Sequence, residues 1–559
     1  MMSQSITSFS VLSTNTAISD KSLYAFNKFT KIITGIAAKT KKADVMTNKR
    51  FVLVPIYLFH HEGSRLIISY LRERGLDARS VYFCDMWKDP TPSEESYNAL
   101  FDKLMELKPD VVGLSFFCIH RDVARRIGDF CRKRLKALVV GGGVQSTIEP
   151  EDTLDFADLV IRGDGEVPLE TLLKGYNGDK RIFRKIPGAV YRDKNNRIKT
   201  GLPNIYLDLV TLPFSDMDQD AFFVSKGRVT YGYDLNSITE IEISGSRGCP
   251  FSCTYCSNSY LNELPNRPRV RVKSAEYLLK EIERAKKLCK NLSRIVFGDE
   301  MFLAKREVIN KFLDEYPKRI GLPFSCLFHP NTIDEDLMKK MVDAGMKMGR
   351  CGIQAMSQKT RREIYNRNTR DEDIMRIARM FKKYKNVRLA FDLIVNNPLE
   401  SEEDIIDGFN FMLSLPTVYE LNVHVLFHLP KTKLTTRFLE EGLIEQQHIE
   451  GYNQNPNRWG IDVLDPNPKV DFTYGLDRFW LYMATLISKG FIPRWFLRTL
   501  SKSRFLRKHT RPLYYFAWSV NVINLGLVSL NMIRNKEIKL STALNVFLGS
   551  RLSILKTNK

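Results

Sequence analysis

Three cysteines crowd into eight positions, in the run Cys249-Pro-Phe-Ser-Cys253-Thr-Tyr-Cys256. Thiolates at this spacing can wrap one face of an iron–sulfur cube, whereas a structural zinc site wants four ligands. Three ligands on four irons leave one iron open to a substrate or cofactor, and that incompleteness is the chemical content of the motif. A zinc site with a remote fourth ligand is the competing reading. The other six cysteines (Cys84, Cys118, Cys131, Cys289, Cys326, Cys351) are scattered through 559 residues. They are too sparse for a disulfide scaffold and read as small buried hydrophobes in a reducing compartment.

The cysteine loop needs rigid support, and the flanking sequence supplies it. A strand-like run at 238–245 (ITEIEISG) leads into the loop, which carries Gly245, Arg247 and Gly248. A helical pattern at 274–290 follows, then strand-like runs at 294–300, 324–329, 346–354, 387–395 and 421–427 with helical patterns between. Six such units predict a (βα)6-type partial TIM barrel with its site at the C-terminal rim of the strands. Upstream, apolar runs at 51–57, 80–85, 110–116, 137–143 and 158–163 alternate with helical stretches. That order predicts an α/β domain built on a doubly wound parallel sheet, with ligands at the carboxyl ends of its strands. Two of those ends are glycine-rich: Gly141-Gly142-Gly143 and Gly163-Asp164-Gly165-Glu166. Glycines there let a flat or phosphate-bearing ligand approach the backbone, although tight turns use the same residues. No GxGxxG follows the first strand, which argues against a nicotinamide cofactor.

With these residues in view, the sequence resembles the radical S-adenosylmethionine (radical SAM) superfamily, whose CxxxCxxC loop follows the first barrel strand. The resemblance implies that Cys249, Cys253 and Cys256 hold a [4Fe–4S] cluster. It implies S-adenosylmethionine contacts at Tyr255, at Gly298, Asp299 and Glu300 after the second strand, and at Gln354 after the fourth. Relatives often carry Glu where this chain has Gln354, a departure that removes a charge. Asp392, Pro398 and the acidic stretch from Glu400 also look like a recurrent family segment. An α/β domain ahead of the barrel is similar to the cobalamin-binding members. On that likeness Ser115, Gly141, Gly142, Gly143, Gly163, Gly165 and Glu166 are expected to contact cobalamin. His60, in an HxxG lacking the Asp that would orient it, is a candidate cobalt ligand. His329, His424 and His428 at strand ends either face substrate or are satisfied structural histidines. The expected organisation is a basic leader (1–50), a cobalamin-binding domain (51–175), a linker (176–235), a radical SAM barrel (236–440) and a helical basic region (441–559).

The resemblance implies an enzyme that makes a 5′-deoxyadenosyl radical able to take hydrogen from an unactivated carbon. In this subclass the usual outcome is methyl transfer, with cobalamin carrying the methyl group. Cyclisation or rearrangement without methylation, as in the relatives that close a ring on a porphyrin ester, is the alternative among enzymes. A cobalamin- and cluster-containing sensor that binds nucleic acid is the alternative outside them. An electron donor such as flavodoxin or ferredoxin is implied. No specific catalytic residue is readable beyond the cofactor motifs.

Charge narrows the partner. The chain carries 85 Lys and Arg against 64 Asp and Glu, a net +21. Residues 1–50 hold 8 basic and 2 acidic residues, and 478–559 hold 15 basic residues and one acid, Glu537. The body, 51–477, is nearly neutral at 62 against 61, which argues against a basic nucleic-acid cleft through its centre. The basic tail interleaves Trp480, Trp495, Phe496, Phe505, Tyr514, Tyr515 and Trp518 with arginines, as does Leu23–Lys42 with its lysines. Such segments suit adsorption to an anionic membrane surface, which predicts a cytoplasmic protein peripheral at the inner face of the membrane, with a lipid-like or isoprenoid substrate. A helical cap on the barrel and nucleic-acid binding are the other readings of the tail. The Ser/Thr-rich start lacks a secretory signal and reads as a disordered leader or an organelle transit peptide.

Overall fold

The run Phe51–Pro55 (FVLVP) forms β1 with every residue buried, as an all-apolar central strand must be. In the computed structural model the described residues are 49–56, 62–84, 92–447 other than 218, 303 and 418, then 449 and 478–534. The described residues all belong to one compact unit. Helix α1 (Glu62–Glu73) has an acid in its first turn and Arg72 in its last, complementing the helix dipole. It stops before Gly75, which takes φ 74°. Then come β2 (Ala78–Phe83), β3 (Val111–Ser115), β4 (Leu138–Gly142) and β5 (Leu159–Ile161). Two further helices matter to the site, α2 (Gly143–Ile148) and α3 (Glu166–Gly175), both opening directly on the glycine-rich loops.

The first sheet has nine strands in the order β7-β6-β5-β4-β3-β1-β2-β8-β9. Its central six strands pair in parallel, and antiparallel strands β6 (Ala189–Arg192), β7 (Ile198–Thr200) and β9 (Arg228–Tyr231) close the two edges. The chain leaves β1 toward β2 on one side and returns as β3 on the other, so the switch point of this sheet lies between β1 and β3. The stretch 176–235, expected as a linker, supplies β6, β7, β8 (Ala221–Ser225) and β9. Its signal was local: Lys226 and Gly227 take φ 50° and 69°, a two-residue turn matched to the twist of the β8–β9 hairpin.

The second sheet is β10 (Glu240–Ile243), β13 (Arg294–Phe297), β14 (Phe324–Phe328), β15 (Met346–Gln354), β16 (Arg388–Val395) and β17 (Glu420–Val425), every pair parallel. One face packs its apolar residues, among them Cys351, Phe391 and Val423, into the large core under the surrounding helices. The other faces the lumen. Between β10 and β13 an antiparallel ribbon, β11 (Ser246–Gly248) with β12 (Val270–Val272), leads into the cysteine loop.

The C-terminal helices are α4 (Arg478–Ile487), α5 (Arg494–Ser501), α6 (Arg504–Lys508) and α7 (Arg511–Arg534). Phe479 to Leu486 on α4 are buried in the barrel core, with Trp480 edge-on to Phe409 at 5.1 Å. Leu513, Tyr514, Ala517 and Val520 form the inner face of α7, Tyr514 lying 5.6 Å from Tyr482 of α4.

Candidate active site

The carboxyl ends of the two sheets face one another across a cavity of about 420 Å³, within the range of cofactor sites. Ser115, Gly141, Gly142, Gly143, Gly163, Gly165 and Glu166 line one wall, and Glu242, Ser246, Asn258, Gly298 and Glu300 line the other. A Cβ at Gly142 would meet only Leu114 O, at 3.9 Å, an ordinary van der Waals contact. That bare stretch of backbone is a cradle that a flat ligand can fill. Gly143 and Gly163 take φ 86° and 88°, so their chain path needs glycine. Thr147 ties the two loops together: its hydroxyl donates to Gly143 O at 2.8 Å and accepts from Gly163 N at 3.0 Å. Glu166 is 3% exposed, with its carboxylate committed to Arg247 across the domain boundary at 2.8 Å. The residues fit a large planar ligand held by shape and backbone. His60 lies outside the described residues.

Arg247 and Gly248 just before the cysteines, and Asn258 just after them, line one corner of this cavity, whereas Cys256 lines a smaller one. Asn262 donates to Cys249 O at 3.0 Å, Cys256 N donates to Cys253 O at 3.1 Å, and Cys256 caps the helix Ser257–Leu261. Burial pushes the Cys249 thiol up and the Cys256 thiol to about 12, so a bound metal must displace their protons. The fixed cation at this loop is Arg367, buried, with Nη1 3.5 Å from Cys253 Sγ and Nη2 donating to Gly352 O. Among the described residues no three His, Cys, Asp or Glu gather tightly enough for a single metal ion. Three cysteines on one loop, one of them beside a guanidinium, suit one face of an iron–sulfur cluster once deprotonated.

A second cavity of about 280 Å³ adjoins the loop, lined by Tyr255, Cys256, Gln354, Asp392, Ile394 and His424 among others. Tyr255 packs edge-on to Tyr365 at 4.9 Å. Gln354 takes φ 70° at a register shift between β15 and β16, an uncommon conformation for a residue with a side chain. A Cβ on Gly352 would lie 2.3 Å from Gln354 Nε2, so that glycine is what lets the amide fold back. Asp392 accepts from Arg350 at 3.0 Å and from Asn422 at 2.8 Å.

The five residues expected at S-adenosylmethionine therefore divide. Tyr255 and Gln354 line the smaller cavity, and Gly298 and Glu300 the larger. Burial raises the pKa of Glu300 against a hydrogen bond from Asn258, and Glu300 lies within electrostatic reach of Cys249 and Cys256. Asp299 turns inward, accepting from Gly245 N at 3.0 Å and from Ser246 Oγ, and burial pushes its pKa to about 7. It holds the turn that launches the cysteine loop. His329 is buried and stacks on Phe251 of that loop at 4.1 Å, with its pKa pushed down by burial to about 2. It is a neutral strut. Arg367, Thr147 and Glu242 escaped the sequence reading. Glu242 stands over Gly298, and burial with the nearby Glu62 raises its pKa.

Residues 50–173 match the B12 binding domain and residues 243–412 the radical SAM superfamily. The chain is 24% identical over 353 residues to a bacteriochlorophyllide d C-8(2)-methyltransferase of Chlorobaculum tepidum, covering 62% of this chain and 71% of the relative. It is 26% identical over 289 residues to an anaerobic magnesium-protoporphyrin IX monomethyl ester cyclase of Cereibacter sphaeroides, covering 49% of this chain and 44% of that one. In fold it is similar to the radical S-adenosylmethionine methyltransferase TsrM of Kitasatospora setae (TM-score 0.55, 16% identity, 70% and 76% covered). It is also similar to the cobalamin-dependent S-adenosylmethionine radical enzyme OxsB (TM-score 0.58, 16% identity, 90% and 75% covered). The chain thus joins a B12-binding domain to a radical SAM domain, as an enzyme whose relatives in sequence include a methyltransferase and a cyclase.

Proposed function

We propose that the chain methylates an unactivated carbon of a hydrophobic, lipid-like substrate. The observation that carries this is the cleft that brings Gly142 together with Gly298, Glu300 and the residues Arg247 and Gly248 that lead into the cysteine loop, with the smaller cavity at Cys256 and Tyr255 on that loop's other side. Cys249, Cys253 and Cys256 hold the cluster. Tyr255, Gln354, Gly298 and Glu300 line the S-adenosylmethionine site, and Asp299 sets the turn beside it. Ser115 and the loops Gly141–Gly143 and Gly163–Glu166 seat cobalamin. Bound there, the three cofactors supply a carbon radical at the substrate and a methyl group to place on it. The chain's own residues supply position and dryness: Tyr255 and Ile394 wall the radical site with apolar surface, and the neutral His329 braces the cysteine loop. A flavodoxin or ferredoxin delivers the electrons.

The tail supports a substrate drawn from a membrane surface. No helix among the described residues is long and apolar enough to cross a membrane. Yet Trp495, Phe505 and Tyr515 are each more than 60% exposed, and Ile523, Leu527 and Leu530 continue the exposed stripe along α7. Residues 478–534 contain no Asp or Glu, and Arg494, Arg498, Lys502, Arg504, Lys508 and Arg511 surround those aromatics. This is the composition of a peripheral foot on anionic lipid at the inner face of the membrane. Nucleic acid would use the same cations but not the aliphatic stripe.

Anaerobic incubation of the reconstituted chain with methyl-labelled S-adenosylmethionine and a cell lipid extract tests the proposal. Label in a lipid, with S-adenosylhomocysteine and 5′-deoxyadenosine both formed, is the expected result. Deoxyadenosine without S-adenosylhomocysteine or label would favour the second reading, a radical cyclisation, which the likeness to the ester cyclase supports.

A further inference from the structure

Two arginines stand directly opposite one another in the β11–β12 ribbon, Arg247 against Arg271. Like charges at facing cross-strand positions repel, and a ribbon of three residue pairs has little pairing to resist them. The counter-charge comes from the other domain. Oδ2 of Asp164, in the glycine loop after β5, accepts from Arg247 Nη1 at 2.7 Å and from Arg271 Nη2 at 2.6 Å. Glu166, on the same loop, takes Arg247 Nη2 at 2.8 Å. One residue beyond β12, Lys273 donates to Glu62 of α1 at 2.9 Å and to Glu281 at 2.7 Å, and Glu62 also accepts from Ser244 N at 2.7 Å. These groups are sheltered: side-chain exposure is 10% for Arg271, 18% for Asp164, 4% for Glu166 and 4% for Lys273. Removing one partner of such a cluster strands a sheltered charge.

The geometry makes the glycine loop and the cysteine loop one electrostatic object. Asp164 lies between Gly163 and Gly165 on the B12 side, and Arg247 lies two residues before Cys249 on the other. We infer that this clasp couples the two cofactors: Asp164 and Glu166 position the cysteine loop for its cluster, and Arg247 and Arg271 position the glycine loop for cobalamin. The inference rests on the reading that the cleft takes cobalamin and the cysteine triplet an iron–sulfur cluster. Coupling of this kind is reciprocal, so each loaded cofactor must tighten the other by the same factor.

The test uses the full-length chain. Cobalamin affinity is titrated by absorbance with and without the reconstituted cluster, and iron per chain is counted with and without cobalamin. The expected wild-type ratio of cobalamin affinities is about 5-fold or more. In Asp164→Asn and, independently, in Arg247→Gln, the ratio falls toward one. Asp164→Glu, which keeps the charge, recovers part of the ratio, which a loss of packing alone would not do. Wild-type affinities that ignore the cluster, or variants that keep the wild-type ratio, would overturn the clasp. A chain that binds neither cobalamin nor iron would overturn the cofactor reading beneath it.

Discussion

At the scale of the residue, type and spacing mark the cysteine triplet, while the groups packed around it are residues that sequence could not single out. Cys249, Cys253 and Cys256 announce themselves by spacing, and on the proposed assignment replacing any one of them with Ala should remove a cluster ligand. The expected result for Cys253→Ala is loss of the iron–sulfur absorbance and of deoxyadenosine formation, with cobalamin still bound. Arg367, which donates to Cys253 Sγ, lies 114 residues away in sequence and carries no motif that marks it. Gly352 makes a sharper case. Its Cβ would meet Gln354 Nε2 at 2.3 Å and Arg367 Nη2 at 3.3 Å. Gly352→Ala should therefore cost about 1–3 kcal/mol, as overpacking does, and should weaken S-adenosylmethionine binding more than cobalamin binding. Thermal melts and two binding titrations check it.

His329 gives a pH signature. Its folded-state pKa, about 2, lies below the ordinary histidine value. The unfolded chain therefore takes up a proton near pH 6.5 that the folded chain refuses, and stability falls as pH drops below that point. The slope from one such group is about 1.4 kcal/mol per pH unit. His329→Gln should flatten the decline between pH 6.5 and 4.5 in denaturant titrations. A wild-type slope retained in the variant would assign the decline to other groups, such as the buried His120, which burial holds at about 4.

At the scale of the element, the apolar runs and glycine loops were readable because parallel strands buried on both faces must be continuously apolar. The edges of the first sheet were not. Strands β7 and β9 are exposed along their length, so they carry no apolar run and looked like a linker. The clasp was hidden for a related reason: Asp164 and Arg247 are ordinary charged residues 83 positions apart, and only the meeting of two domains makes them partners. Gly142 separates packing from function within one loop. Gly141→Val would crowd Thr153, 2.4 Å from a Cβ there, whereas a Cβ at Gly142, on the cavity wall, meets only Leu114 O at 3.9 Å. Gly142→Val should leave the melting temperature of the cofactor-free chain unchanged and weaken cobalamin binding by about tenfold or more, a loss of 1.4 kcal/mol per decade.

At the scale of the whole molecule, the net charge of +21 divides into a nearly neutral two-domain body and basic ends. The tail is neither a free appendage nor a simple cap, for α4 is buried in the barrel core while α5, α6 and the outer face of α7 present aromatics and cations. Truncation at 477 would tear out α4, so the fair test alters the surface alone. The triple variant Trp495→Ala, Arg498→Glu, Lys502→Glu should lose co-sedimentation with phosphatidylglycerol vesicles while its cobalamin and iron contents stay at wild-type levels. Binding by the unaltered chain should fall with salt, as screening requires. Equal sedimentation with neutral phosphatidylcholine vesicles would refute an electrostatic foot.

On the proposed reading, the glycine loops of one domain and the cysteine loop of the other hold their cofactors against one another at the cleft between the two sheets. Electron paramagnetic resonance on the full-length chain, loaded with cob(II)alamin, tests it directly before and after the cluster is reduced. Two paramagnets sharing that cleft must broaden one another's lines and speed one another's relaxation. The expected result is a cob(II)alamin signal that changes on cluster reduction and returns to its isolated shape in Cys253→Ala. A signal indifferent to the state of the cluster would place the cofactors apart and contradict it.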